Sequence, residues 1–338
     1  MPTRRSLLLA GLGSLTSAAL GTRSSDADVP ASLQRIKVVI PRDSIFVLNY
    51  MGAKDAGVFS KYGIDLDVDA RPFAGFLAGL PSRQCMATTY AGIEAIEKIN
   101  QGLDWAIIGG GLTVVQEVFV RKDAPFKTIA DLRGKRLGTF STGAGAFKAT
   151  RAAIIDAYGL DIAKDTNLVQ LAAPALFKLL ESGAVDAMIN ISSFTIAAQS
   201  QPDQFRSIFS PNDYWIQRTG FPIVWAAPIV AWRSWVEEDR RRAKAFVDAT
   251  EESFRWLRQP ANLDAAVKKH GELAGVTRPA EIAEYKKQLA AKRMFLARWD
   301  RDVVDAEWKF LDMAKSHGIL DRVPAKDKYA LLVENRAQ

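Results

Sequence analysis

The sequence predicts an α/β fold, because strand-like and helix-like segments alternate along the first two thirds of the chain. Residues 36–40 and 64–68 show the two-residue alternation of strands, and the second of them has one acidic, solvent-facing side. Residues 105–108 and 185–191 are continuous apolar runs of the length of buried strands. Strands separated by helices favour largely parallel sheets.

The remaining elements follow in the same regular order. Further strands are expected at residues 85–88, 114–120, 136–140 and 168–171. Helices are expected at residues 49–62, 92–100, 145–158 and 176–181, with Gly63, Gly159 and Gly183 as helix ends. The run Gly109, Gly110 and Gly111 is expected to end the strand that begins at Trp105. After residue 232 the chain is mostly helical, because apolar residues recur there at three- and four-residue steps.

Composition excludes several classes of protein. The 338 residues carry a formal charge of +7 but only one short basic run, residues 240–242, which follows three acidic residues on a predicted helix. A nucleic-acid partner is therefore not expected. The two histidines, His270 and His317, each precede a glycine and are expected at helix ends, and with Cys85 as the one cysteine no metal-ligand spacing exists.

The N-terminus has the features of an export signal. Arg4 and Arg5 directly precede an apolar stretch, residues 7–20, that is too short to span a bilayer. The paired arginines resemble a twin-arginine signal, with cleavage after Ala19 or Gly21. We therefore expect residues 1–28 to be a signal peptide with a disordered lead-in. The product is expected in the periplasm without a lipid anchor, since Cys85 lies far from the new N-terminus.

Three motifs carry a family resemblance. They are AKDAGVFSKYGIDL at residues 53–66, VRKD at 120–123 with TIADLRGK at 128–135, and LLESGAVDA at 179–187. In this order and spacing they resemble the periplasmic binding proteins for sulfonates, nitrate and thiamine-precursor-like ligands, over most of residues 35–230.

The resemblance implies a type II periplasmic-binding-protein fold. Two lobes, each with a mainly parallel sheet flanked by helices, would be followed by a helical C-terminal extension. Lobe I would comprise residues 33–120 and 225–338, and lobe II residues 121–224. The protein would be a monomer without a cofactor that captures a small organic anion by hinge closure and delivers it to an ABC permease in the inner membrane.

Two other functions remain open at this level. Relatives with the same fold synthesise a thiamine pyrimidine or dehydrate a carboxylic substrate, and a sensory ligand-binding protein would have the same architecture. An enzyme of this kind would be cytoplasmic, so the export signal argues against it, and no nucleophile elbow is present. No catalytic residue is therefore predicted.

The ligand site is expected at the carboxyl ends of strands, where loops lead into helices with free amide groups. The candidate ligand-binding residues in these loops are Ser44, Phe46, Thr88, Thr89, Ser141, Thr142, Gly143 and Ala144 on one side, and Asn190, Ser192, Phe194 and Trp225 on the other. Alternatives exist for some of them. The loop at residues 141–145 and Ser192 could be plain helix starts, and Trp225 could belong to the core.

Overall fold

The computed structural model describes residues 33–334, and within them eleven strands form three sheets. The predicted export signal, residues 1–28, lies outside the described residues. The first sheet is a parallel pair. Its strands are β1 (Gln34–Pro41) and β2 (Ile64–Arg71). The second sheet has the strand order β11-β4-β10-β3, and all its pairings are antiparallel. Its strands are β3 (Ala87–Thr89), β4 (Trp105–Leu112), β10 (Ala227–Trp232) and β11 (Phe295–Leu296).

The third sheet draws all its strands from the middle of the chain. They are β5 (Val118–Arg121), β6 (Arg136–Thr139), β7 (Asn167–Gln170), β8 (Ala187–Ile189) and β9 (Phe205–Phe209). The order is β7-β6-β8-β5-β9, with parallel β7-β6-β8 and antiparallel β8-β5-β9 pairs.

Fourteen α-helices of the described chain cover these sheets. Those up to residue 200 are α1 (Ile45–Asp55), α2 (Phe73–Gly79), α3 (Gly92–Asn100), α4 (Gly145–Tyr158), α5 (Ile162–Asp165), α6 (Ala173–Ser182) and α7 (Ser192–Gln199). The later ones are α8 (Pro211–Thr219), α9 (Arg233–Glu238), α10 (Arg240–Leu257), α11 (Pro260–Ala274), α12 (Pro279–Ala290), α13 (Arg301–Ser316) and α14 (Lys326–Tyr329). Among the described residues, no helix combines the length and apolarity needed to cross a bilayer.

The α/β class is confirmed, but the three sheets taken together are not mainly parallel. β5 and β10 cause the difference, because each pairs antiparallel with its neighbours. Both strands enter their sheets from a connection that joins two different sheets. Neither β5 nor β10 is therefore reached through the right-handed strand-helix-strand crossover that makes neighbouring strands of one sheet parallel.

The glycine run at residues 109–111 does not end a strand, and that prediction is wrong. β4 continues through it to Leu112. A Cβ added to Gly110 would lie 2.1 Å from the carbonyl oxygen of Leu296, and one added to Gly111 would lie 2.1 Å from that of Ala227. These glycines therefore permit close approach of the neighbouring backbones, which is the other role of glycine inside a strand.

The predicted helix ends are correct at most positions. Gly63, Gly159 and Gly183 have φ of 73°, 60° and 76°, in the left-handed region that glycine favours. The predicted helix at residues 49–62 is instead α1, which ends at Asp55, followed by a separate 3₁₀ turn.

Only one of the two histidines lies at a helix end. His317 is the C-cap of α13, as expected. His270 lies inside α11, where Gly271 leaves space for the carbonyl of Val276 to pack against the helix. The Nε2 atom of His270 lies 2.6 Å from Oδ2 of Asp55.

Two connections join the third sheet to the second, and hydrogen bonds link the two connections to each other. One runs from β4 to β5, and the other runs from β9 through α8 to β10. The amide of Val114 donates to the carbonyl of Ile223 at 2.8 Å. Asn212 donates to Oγ1 of Thr113 and accepts from the amide of Ile223, both at 2.9 Å.

Candidate functional site

A cavity of about 270 Å³ lies between the third sheet and the first two, above the two connections. Its walls are residues that directly follow the carboxyl ends of β1, β3, β6, β7 and β8. Its floor comes from the connections themselves, through Leu112 and Gln116 on one and Ala226 and Ala227 at the end of the other. The cavity therefore occupies the place where α/β folds bind ligands.

Five helices begin at this cavity, and none has a capping side chain. Their N-cap residues, which all line the cavity, are Ser44 of α1, Ala91 of α3, Ala144 of α4, Ala172 of α6 and Ile191 of α7. Alanine and isoleucine have no side-chain oxygen to accept a hydrogen bond, and the hydroxyl of Ser44 donates to the carbonyl of Pro41 at 2.6 Å. The first turns of five helices therefore lie at one space without a side-chain cap.

Other helices of the described chain are capped in the ordinary way. Asp161, Ser210, Asp239 and Asp300 accept hydrogen bonds from the first turns of α5, α8, α10 and α13. None of these four residues lines the cavity. Five more helices also lack a side-chain cap. α2 begins beside the cavity at Phe73, and α9, α11, α12 and α14 begin elsewhere. The cavity is thus the place where uncapped helix N-termini lie close together.

The rest of the lining is mainly aromatic and aliphatic. Four phenylalanines, Phe46, Phe73, Phe76 and Phe140, line it, and Phe73 contacts Phe140 edge-on with 6.1 Å between ring centroids. The cavity therefore offers amide donors on one part of its surface and an apolar wall on another.

Formal charges nearly cancel at the cavity. Arg42 and Asp43 are the charged residues among those that line it, and they form an ion pair of 3.3 Å with each other. Both side chains are about half exposed, so this pair adds little field inside the cavity. The main source of positive potential is then the set of helix N-termini.

Contacts beside the cavity hold its two sides together. Nζ of Lys148, on α4, lies 2.5 Å from Oε1 of Glu97 on α3. Gly92 and Gly145, the first residues of α3 and α4, both pack against the backbone of Trp225. The two sides therefore meet at helix ends and at the second connection.

Four of the residues predicted from the sequence line the cavity, namely Ser44, Phe46, Ala144 and Ser192. Ser141 and Gly143 line a neighbouring depression. Thr142 is exposed, and its amide and hydroxyl group face Oε1 of Gln170 at 3.2 and 3.3 Å. The loop at residues 141–145 thus reaches the cavity through its last two residues.

Besides Ser141, Thr142 and Gly143, five other predicted residues do not line the cavity. Thr88 is buried and donates to the carbonyl of Val39 at 2.8 Å, and Thr89 is buried beside it. Phe194 packs against Phe177. Trp225 is fully buried, with its Nε1 donating to the carbonyl of Glu307, so it belongs to the core.

Asn190, the fifth of these, joins two of the helix ends. Its Nδ2 donates to the carbonyl of Ala173 at 3.0 Å, and its Oδ1 accepts from the amide of Ile191 at 2.9 Å. Ala173 and Ile191 both line the cavity, at the starts of α6 and α7. Asn190 is thus a positioning residue for the cavity wall.

Sequence reasoning missed most of the apolar lining residues and one polar one, Gln116. Phe73, Phe76 and Phe140 were not selected, nor were Ala91, Ala172 and Gln116. A usable signal was present, because Phe140 directly follows β6 and Phe73 lies two residues after the end of β2. Ala144 was the one alanine N-cap selected, although a missing cap leaves more free amides than a serine does.

A buried carboxyl group supports the second connection. Glu307, on α13, is fully buried, and its two oxygens lie 3.2 and 3.3 Å from the amide of Val224. Burial raises the pKa of Glu307 well above its ordinary value, and the bond from Val224 only partly opposes this. Below the ordinary pKa the carboxyl group is protonated in both folded and unfolded chains, and its contribution to stability is lost as the pH rises through the folded-state pKa.

We expect Glu307→Gln to become more stable than the wild type as the pH rises. Gln mimics the protonated acid, so the two proteins should melt at similar temperatures near pH 4.5. The variant should melt a few degrees higher at pH 8. Thermal unfolding followed by circular dichroism across this range measures the difference, and a variant that loses stability relative to wild type as the pH rises would contradict the assignment.

The comparisons with known proteins agree with this architecture. The family model described as NMT1/THI5 like matches residues 46–262. No curated protein sequence matches this chain.

Solved structures with this fold include binding proteins and an enzyme. The periplasmic aliphatic sulphonate binding protein SsuA from Escherichia coli has a TM-score of 0.69 at 16% identity, covering 91% of this chain and 96% of that one. The alkanesulfonate-binding protein SsuA from Xanthomonas axonopodis pv. citri, bound to MOPS, has a TM-score of 0.65 at 14% identity, covering 89% and 98%. The desulfurization enzyme DSZB has a TM-score of 0.56 at 19% identity, covering 88% and 96%.

Proposed function

Because the chain belongs to the NMT1/THI5-like family, we propose that it is the substrate-binding receptor of an ABC importer. It would act in the periplasm, capture a small organic anion between two lobes and present it to a membrane permease. The export signal predicted at residues 1–28 supports the location. The sulfonate-binding proteins with the same fold support the class of function.

The observation that carries this proposal is the convergence of five uncapped helix N-termini on one cavity. Free amides at a helix N-terminus, together with the helix dipole, favour a negatively charged group. The four phenylalanines would contact the apolar remainder of the ligand. The arrangement fits an anion whose body is flat or hydrophobic.

The balance of charge favours a single negative charge on the ligand. Arg42 and Asp43 neutralise each other at the rim, so no unpaired cation of the described residues is available inside the cavity. Partial charges at helix ends suffice for a sulfonate or carboxylate. A dianion would lose more hydration than these groups replace.

The mechanism would be closure of two lobes about the two connections. The proposed boundaries are residues 33–120 with 225–338 for one lobe and 121–224 for the other. The sheet composition supports this division except at residues 118–120, since the third sheet uses residues 118–209 alone and β5 lies within it. Contacts such as Lys148–Glu97 would form on closure, and the ligand would favour the closed state through donors from both lobes.

An enzyme is the second candidate, because DSZB has the same fold. The cavity lining gives little support to catalysis. Its hydroxyl groups belong to Ser44 and Ser192, and that of Ser44 is engaged by the backbone. Cys85 is buried away from the cavity, and burial raises the pKa of its thiol to about 11, far from that of a reactive nucleophile.

A thermal-shift panel tests the proposal. We expect benzenesulfonate, naphthalene-2-sulfonate or benzoate to raise the Tm of the purified protein, since a ligand at 100 times its Kd stabilises by about 2.7 kcal/mol. The dianion phenyl phosphate and the neutral benzenesulfonamide should have smaller effects. Chromatography after incubation should recover the compounds unchanged. No shift with any monoanion, or conversion to a product, would contradict a binding receptor.

A further inference from the structure

Gln116 is a buried amide at the floor of the cavity for which the protein supplies no partner. The side chain is 5% exposed and lines the cavity from the connection between β4 and β5. Its Oε1 is buried and accepts no hydrogen bond within the described chain. Its Nε2 donates to no group of residues 33–334 either, although it is not among the fully buried unpaired atoms there. The amide nitrogen is therefore the polar atom left open to the cavity.

An unpaired amide at this depth has a cost for the folded protein, because polar groups removed from water need hydrogen bonds. An apolar side chain of the same length would fill the floor without that cost. The neighbouring floor residues, Leu112, Ala226 and Ala227, are indeed apolar. Packing therefore does not explain why residue 116 is a glutamine.

We infer that Gln116 is a ligand-contacting, specificity-determining residue, whose Nε2 donates a hydrogen bond to an acceptor oxygen of the bound anion. The inference rests on the proposed function, since it requires an anion in the cavity. It adds a neutral donor from the floor to the amides of the walls. The ligand class is narrowed accordingly to monoanions with two or more acceptor oxygens on the charged group, such as sulfonates, sulfinates and carboxylates.

The position also links binding to closure. Gln116 lies on one of the two connections, three residues from Thr113, which is bonded to Asn212 on the other. A ligand held by this side chain is therefore anchored at the axis of the proposed hinge. Walls that carry α1, α4 and α7 can then close over it from both sides.

Two substitutions of Gln116 test the inference. The first should weaken binding without lowering the stability of the protein. The probe is the compound among benzenesulfonate, naphthalene-2-sulfonate and benzoate that raises the Tm of the wild type most, and calorimetry measures its Kd. Gln116→Met keeps the length and removes the donor. We expect about a tenfold weaker Kd together with an unchanged or higher Tm without probe. A purely structural role would instead lower the Tm.

Gln116→Glu distinguishes a donor from an acceptor. A carboxylate at this site repels the anion, so we expect a loss of roughly 100-fold, larger than for Met. The exposed residue Gln34 provides the matched control, since Gln34→Glu adds the same charge away from the cavity and should leave Kd unchanged.

Each outcome has one meaning. Wild-type affinity in Gln116→Met, or tighter binding in Gln116→Glu, would overturn the inference while leaving the receptor proposal intact. No Tm shift of the wild type with any of the three probes would overturn the proposed function, and this inference with it.

Discussion

Ala144→Asp is expected to weaken binding of an aromatic monoanion by about 100-fold, which corresponds to a loss of about 2.8 kcal/mol. Ala144 is the N-cap of α4 and lines the cavity. An aspartate there would accept hydrogen bonds from the first-turn amides of α4, the donors that we assign to the ligand, and would place a negative charge beside them. Calorimetric titration with benzenesulfonate or naphthalene-2-sulfonate measures the change.

The same substitution should leave the protein folded. Aspartate is preferred over alanine at N-caps by about 1 kcal/mol, so the variant should melt no lower than the wild type without ligand. Ala144→Asn, a neutral cap of the same shape, should lose less affinity than Ala144→Asp. Gln259→Asp is the matched control, since Gln259 is the exposed and uncapped N-cap of α11 away from the cavity. A folded Ala144→Asp protein with wild-type affinity would show that α4 does not hold the anion.

Gly110→Ala is expected to be the most destabilising of the substitutions considered. β4 lies between β11 and β10, and the added methyl carbon would lie 2.1 Å from the carbonyl oxygen of Leu296 and 2.8 Å from that of Arg298. Both atoms belong to backbone, so the strands must separate. We expect a loss of about 3 kcal/mol, at the upper end of the cost of overpacking.

Thermal unfolding followed by circular dichroism should show this loss as a fall in Tm of about 6–12 °C. Gly75→Ala is the control. Gly75 lies inside α2, where a methyl carbon would approach only the flexible side chain of Arg71, at 3.4 Å or more. Alanine is favoured over glycine in helices by about 1 kcal/mol, so this variant should melt at the wild-type temperature or above. Equal Tm values for the two variants would mean that β4 and β11 are not packed as described.

Much of the local structure could be predicted because it depends on local chemistry. Helix ends at Gly159 and Gly183 need a left-handed residue, and α3 was predicted at its observed bounds. The glycines of β4 were misinterpreted because glycine occurs both at strand ends and where two backbones pack closely. Only the position of the partner strand distinguishes these two roles. The antiparallel pairing of β10 depends likewise on the path of the chain between sheets, which no local pattern records.

The position of the candidate site could be predicted, but only part of its lining. The rule that ligands bind beyond strand carboxyl ends located the loops at Ser44, Ala144 and Ser192, all of which line the cavity. Free amides and the hydroxyl groups of these loops were both expected as donors, but the structure places Thr88 and Thr89 in the core. The free amides belong instead to helices whose N-cap residues, such as Ala91, have no capping side chain. Nothing in the sequence distinguishes such an alanine from any other.

A crystal structure of the complex with 4-bromobenzenesulfonate tests the central claim most directly, because bromine can be located by its anomalous scattering. We expect the sulfonate oxygens within hydrogen-bonding distance of the amides of Gly145 and Ala146, and the bromine among Phe46, Phe76 and Phe140. A sulfonate bound outside the cavity, or an empty cavity in crystals grown at saturating compound, would contradict the account.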